Sequence, residues 1–207
     1  MDPGRVGENL ERVRERIAMA GRDPAEVEVC AAIKYLPAEE LPALAEAGVT
    51  LVGENRAQDL LAKQELHRDL FDWDFIGVLQ SRKVRDVAPN VRLIHSLATE
   101  SSLRRLEQDP APEVLVQVNV AGEPGKEGVE PTGLADFIAR CPAPVSGLMT
   151  MPPFVEEAEH NRRWFARLAE LAAEHGLARL SMGTTQDYWV AAEEGATIVR
   201  IGSALYA

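Results

Sequence analysis

Eight short apolar runs recur along the chain, and a helical pattern stands between each run and the next. The runs start near residues 27, 50, 73, 92, 113, 144, 179 and 196. The clearest is "EVLVQVNV" (113–120), a near-continuous β-branched stretch. Strands that are apolar on both faces and alternate strictly with helices form βα units around a buried parallel sheet. Eight such units predict a single closed (β/α)₈ barrel spanning residues 1–207. An open doubly wound sheet is the structural competitor. No internal repeat or low-complexity linker stands out, and the chain reads as one domain.

Local signals agree with this frame. A first helix is expected over 6–20, with Leu10, Val13, Ile17 and Ala20 at helical spacing and Gly21 as its stop. Further helices are expected over 37–48, ending at Gly48, and along "RAQDLLAKQELHRDL", with Leu60, Leu61 and Leu66 on one side. "EEAEHNRRWFARLAELAAEHG" reads as the longest helix, ending at Gly176. After the last strand, "ATIVRIGSAL", only a stub remains before Ala207. The barrel then lacks an eighth outer helix, and the N-terminal helix is expected to cover that place.

Bulk properties narrow the function classes. The formal net charge of -11 argues against non-specific binding to nucleic acid or to an anionic membrane. A small anion in a local pocket remains compatible with it. The N-terminus lacks an apolar core segment and no run of 18 apolar residues occurs, so a cytoplasmic protein is expected. Cys30 and Cys141 stand far apart and outside any C-x-x-C pair, which reads as two buried free thiols. His95 and His160 have no partner at metal-ligand spacing, so structural or surface roles are expected and no metal site is assigned. Arg82, Lys83 and Arg85 read as a solvated basic helix face, and Lys126 as part of an exposed loop.

In a barrel, chemistry sits at the C-terminal strand ends. Lys34 follows the first run, "VEVCAAIK" (27–34). A lysine is costly to bury, so it either reaches solvent there or its amine has a job. The chain holds only four lysines among 22 basic residues, which makes a lysine at this place the less habitual choice. The last two strand ends, "SMGTTQD" (181–187) and "RIGSA" (200–204), are rich in Gly, Ser and Thr. Such turns bind phosphate through backbone N–H groups. An amine on one side and an anion cradle on the other describe a pocket for a phosphorylated aldehyde, bound and activated as a Schiff base.

The segments "AAIKYLP", "VGENRAQDLLAK", "WDFIGVLQSRK", "IHS", "VLVQVNVAGEPGKEG", "GLMTM", "LSMGTTQD" and "EEGATIVRIGSALY" span residues 31–206. In that order they resemble the pyridoxal phosphate homeostasis protein family, the YggS/PROSC-like proteins, which are similar to the barrel domain of alanine racemase. The resemblance implies pyridoxal 5′-phosphate as cofactor, held as an internal aldimine on Lys34. It implies Asn55 beside the cofactor and Arg200 facing the pyridine nitrogen. Gly202 and Ser203 would form the phosphate turn, with Thr185 where the family has a serine, and Ser181, Met182 and Met149 nearby. It also implies a non-catalytic role in cofactor storage and delivery, with pyridoxal-phosphate-dependent apo-enzymes as partners. The chain departs from the family at Ile33 and Tyr35, which flank the lysine in place of small hydroxyl residues. It departs again at Val78, in place of a histidine, and at "SMGTT" for "SMGMS".

The competing class is an enzyme, an amino-acid racemase or decarboxylase. Racemisation in the related barrel enzymes uses a second base, a tyrosine lent by another domain across a dimer. The chain stops after its eighth strand, and Tyr35, Tyr188 and Tyr206 lie outside that context. A monomeric carrier with at most trace racemase activity is therefore expected.

Overall fold

The computed structural model describes residues 1–206. Helix α1 (Pro3–Met19) starts where Asp2 accepts a hydrogen bond from the Gly4 N–H and Pro3 presets the first turn. Val6, Leu10, Val13 and Ile17 form its buried stripe. The chain then leaves the helix at Gly21, whose φ of 78° suits only glycine without strain.

Eight parallel strands follow, each separated from the next by helix. They are β1 (Glu28–Ala32), β2 (Leu51–Glu54), β3 (Asp72–Phe75), β4 (Leu93–Leu97), β5 (Val114–Gln117), β6 (Val145–Met149), β7 (Arg179–Thr184) and β8 (Ile198–Ile201). Strand order equals chain order, and β8 pairs with β1, so the sheet closes and has no edge. Closure decides against the open sheet. The intervening helices are α2 (Leu41–Glu46), α3 (Ala57–His67), α4 (Val84–Val87), α5 (Glu100–Arg105), α6 (Leu134–Ala139), α7 (Arg162–Glu174) and α8 (Tyr188–Glu193), and α9 (Ser203–Tyr206) follows β8.

The two-residue period of the strands builds two cores. Cys30, Leu51, Leu93, Leu115, Met149 and Ile198 meet inside the barrel. Their neighbours Ala31, Val52, Ile94, Val114, Val116, Leu148 and Val199 point outward and join the helices. The N-terminal end of the barrel holds a charged network. Arg92 bonds both Asp74 (2.8 Å) and Glu28 (2.5 Å), and Arg179 reaches Glu28 (3.5 Å) and Glu113 (3.7 Å).

Helix α1 takes the expected place, packed on α2, α8 and the four-residue α9. The Arg16 guanidinium lies 3.6 Å from the centre of the Trp189 ring, and Asn9 Nδ2 donates to the Leu205 carbonyl at 3.2 Å. Four expectations are corrected. The longest helix is α1 rather than α7, because Ala158–Asn161 is a 3₁₀ turn. On α3 only Leu60 of the three leucines is buried. Leu61 and Leu66 face solvent, and Lys63 and Gln64 face inward. Strand β1 stops at Ala32, which leaves Lys34 in the turn beyond it. Cys141 is only partly buried. No helix among the described residues is long and apolar enough to cross a membrane.

Candidate functional site

A cavity of about 600 Å³ opens at the C-terminal mouth of the barrel. Lys34, Asn55, Thr185, Arg200, Gly202 and Ser203 all line it. Strand parity explains part of this convergence. Cys30 is inside the barrel, so Ala32 continues the same face and the turn after it carries Lys34 to the mouth; Ile198 is inside, so Arg200 continues that face too.

Lys34 is exposed, and its Nζ lies 4.6 Å from the centre of the Tyr35 ring. Its turn is held by the Leu36 N–H donating to the Ile33 carbonyl at 3.0 Å. Asn55 follows β2. Its Oδ1 is buried and has no hydrogen-bond partner among the described residues. A buried acceptor without a donor is costly, and a ligand that donates would satisfy it. Gly77 lies hard against this residue, since a Cβ there would come within 2.0 Å of the Asn55 carbonyl oxygen.

Arg200 is 5% exposed. It donates to the Ser181 carbonyl (2.8 Å), Ser181 Oγ (2.5 Å), the Thr150 carbonyl (2.8 Å) and Met151 Sδ (2.9 Å). None of these is a carboxylate, in contrast to Arg92. Burial pushes the Arg200 guanidinium down to about 10, against an opposing pull from Cys30 and Asp187. It still carries its charge at neutral pH. A buried cation that forms no ion pair among the described residues, on the wall of a cavity, suits an anion or a lone pair.

Beneath Arg200 the polar contacts continue into the barrel. His95 Nδ1 lies 2.8 Å from Ser181 Oγ, and His95 Nε2 lies 3.0 Å from Asp74 Oδ2. Arginine can only donate, so Ser181 Oγ accepts from it and turns its own hydrogen to His95 Nδ1. Nε2 then carries the imidazole proton and donates to Asp74. Burial holds the His95 ring below its usual value, although Asp74 pulls the other way. Burial raises Asp74, but the hydrogen bonds from His95 and Arg92 outweigh it, and the carboxyl ends below its usual value.

The two small-residue turns stand on the last two strand ends. Gly183 turns with a φ of 87° and abuts α8, where a Cβ would meet Ala191 at 2.6 Å. Asp187 Oδ1 then accepts from both the Thr184 N–H (2.7 Å) and Thr184 Oγ1 (3.1 Å), which locks the turn. The Gly202 N–H donates to Thr185 Oγ1 at 3.2 Å, joining the two turns. At Gly202 a Cβ would make only ordinary van der Waals contact, 3.8 Å from the Ala32 carbonyl oxygen.

Three expected residues do not line the cavity. Ser181 lies one layer down, supporting Arg200. Met149 belongs to the apolar cluster inside the barrel. Met182 faces the outer core, because it follows an inward residue on a strand of period two. Thr184 and Gln186 of the small-residue turn line the cavity with Thr185, and Ala32, Tyr35, Ile76, Met151 and Tyr206 line it unanticipated. Counting back two from Lys34 would have found Ala32. Tyr206 carries no such signal, and it arrives because its hydroxyl donates to the Ala32 carbonyl at 2.9 Å. His160 is exposed and pairs with Glu157 at 3.6 Å. Arg82 and Arg85 do line a solvent-facing groove, together with Arg104 and Arg105.

Comparison with known proteins identifies the family. The family model for the alanine racemase N-terminal domain matches residues 1–207. A pyridoxal phosphate homeostasis protein of Aquifex aeolicus is 40% identical over 98% of this chain and 96% of its own length. Among solved structures, an unknown protein from Bifidobacterium adolescentis superposes with a TM-score of 0.87 at 30% identity, covering 98% of this chain and 95% of that one. PipY of Synechococcus elongatus, solved with PLP bound, superposes with a TM-score of 0.81 at 29% identity, covering 98% of this chain and 100% of PipY. The chain thus belongs to the alanine racemase N-terminal domain family and, within it, to the pyridoxal phosphate homeostasis proteins.

Proposed function

We propose that the chain binds pyridoxal 5′-phosphate as a Schiff base on Lys34 and serves cofactor homeostasis in the cytoplasm. It acts as a single-domain, monomeric carrier that stores the cofactor and delivers it to apo-enzymes, without a catalytic cycle of its own. The observation that carries this reading is that one cavity joins Lys34 to the Gly202–Ser203 turn across the whole length of the barrel sequence. The names of the relatives and the PLP carried by the PipY neighbour support it.

The residues fit the group. The cavity has the size of a small-ligand site. Among the described residues Arg200 forms no ion pair and Asn55 Oδ1 has no donor, and the Gly202 N–H and Thr185 Oγ1 meet at the cavity wall. Pyridoxal 5′-phosphate supplies an aldehyde that condenses reversibly with a primary amine. Lys34 would provide that amine, with the carbonyl oxygen lost as water. Thr185, Gly202 and Ser203 would hold the phosphate. Arg200 would donate to the ring nitrogen. A guanidinium has no lone pair to accept a proton in return, so that nitrogen would stay unprotonated and the ring would draw electrons weakly.

A racemase would need a second base at the cavity. Tyr206 is poorly suited, since its hydroxyl is committed to the Ala32 carbonyl and burial pushes its ionisation up. Tyr35 is 86% exposed. Lys34 itself is open to water, which is unfavourable for carbanion intermediates.

The test combines absorbance, borohydride reduction and peptide mass. The purified protein should show a band that borohydride abolishes, with the reduced adduct on the peptide carrying Lys34. Lys34→Ala should lose both. An adduct on Lys63 or Lys126 instead would refute the site. Sustained enzyme-like turnover of D- or L-alanine by the loaded protein would refute the carrier reading.

A further inference from the structure

Helix α3 turns a lysine inward and two leucines outward, and the reason lies at the strand ends. Lys63 Nζ lies 2.5 Å from Glu54 Oε1, with side chains 8% and 0% exposed. The same Nζ donates to the Ile33 carbonyl at 2.7 Å. The other oxygen, Glu54 Oε2, accepts from the Asn55 N–H at 2.5 Å and more distantly from the Arg56 N–H at 3.4 Å. Neither side chain lines the cavity. Yet the two backbone groups they grip belong to the residues next to Lys34 and to Asn55 itself.

Stability alone is a weak reason for such a pair. Two apolar side chains of similar volume often serve a core as well as a buried ion pair does. The turn that carries Lys34 has one backbone bond across it, from Leu36 to Ile33, and Lys63 adds a second hold on the same carbonyl. The pair thus ties the end of β1 to the end of β2 through α3.

We infer that Glu54 and Lys63 are positioning residues for the cofactor site. Their buried pair clamps the Ile33 carbonyl and the Asn55 N–H, and so sets the spacing and direction of Lys34 and Asn55 across the cavity. The inference rests on the proposed function for its chemical consequence, and on geometry alone for the clamp. The pair takes no part in covalent change.

The test uses the full chain and the double variant Glu54→Leu/Lys63→Met, which removes both charges together. Two readouts are compared with wild type: the equilibrium constant for adduct formation with pyridoxal 5′-phosphate, and amide hydrogen exchange along the backbone. The clamp predicts a constant lower by about tenfold, equivalent to about 1.4 kcal/mol. It also predicts faster exchange confined to residues 33–36 and 54–57. Wild-type values in both readouts overturn it, and so does a general speeding of exchange with an unchanged constant, which marks a purely structural pair. If wild type itself forms no adduct on Lys34, the reading of the site fails. Exchange then decides the clamp alone: faster in the two segments sustains it, unchanged overturns it. Should the double variant not fold, Glu54→Asp keeps the charge but withdraws it by one methylene, and the same two outcomes apply.

Discussion

His95 bonds Ser181 above it and Asp74 below it, and its tautomer follows from both. An arginine that only donates stands at one end of the chain of bonds and a carboxylate at the other. Protonating His95 would put a hydrogen on Nδ1 and force Ser181 Oγ to accept from both sides. The folded state therefore binds this proton more weakly than the unfolded chain, whose histidine titrates near 6.5. For a depressed value, stability is complete above 6.5 and is lost as pH falls from there toward the folded value. Chemical denaturation from pH 7 to 5 should show wild type losing up to about 1.4 kcal/mol per unit, while His95→Gln, though weaker throughout, shows a flatter slope. Equal slopes would remove His95 as the cause. Lys34 and Arg200 were legible as strand-end residues, but His95 was not. Its partners lie 21 and 86 residues away, and no local pattern announces them.

Among the elements, α1 shows how little of a helix's role is intrinsic to it. Leu10, Val13 and Ile17 of its stripe were readable from spacing, and it packs beside α8 and α9 against the barrel. Ile17 is fully buried there. Truncation to Ile17→Ala should cost about 3 kcal/mol, as core truncations of this size do, measured by urea denaturation. A loss below 1 kcal/mol would mean that α1 merely rests on the barrel. Helix α3 teaches the converse. Its leucines suggested an apolar face, yet the buried face includes Lys63, because Glu54 and the Ile33 carbonyl wait beneath it. Periodicity reports which residues dislike water; it does not report where a buried acceptor stands.

At the scale of the whole molecule, the site exists because the sheet closes. Lys34 sits just past β1, and Arg200 lies on β8; the pairing of these strands makes them neighbours. A ligand that bridges the two ends of the closed sheet should stabilise the fold as a unit. With the proposed cofactor at 100 times its dissociation constant, stability should rise by about 2.7 kcal/mol. For a chain of this size that moves the thermal midpoint upward by about 5 to 10 °C. Lys34→Ala should forfeit most of the shift, and an equal shift in that variant would separate binding from the amine. Alternation of apolar runs with amphipathic helices, the strand-end lysine and the small-residue turns could all be read in order along the chain. Those features are local, set by periods of two and 3.6 residues and by backbone freedom at glycine. Only the tertiary structure decided that Met182 faces away from the cavity while Tyr206 enters it. Only it showed that Arg200 is a buried cation with no ion pair among the described residues and that Lys63 holds the turn before Lys34. These depend on register and on which distant groups share a low-dielectric space, and the energy of a buried charge or hydrogen bond is set by that company rather than by its neighbours in sequence.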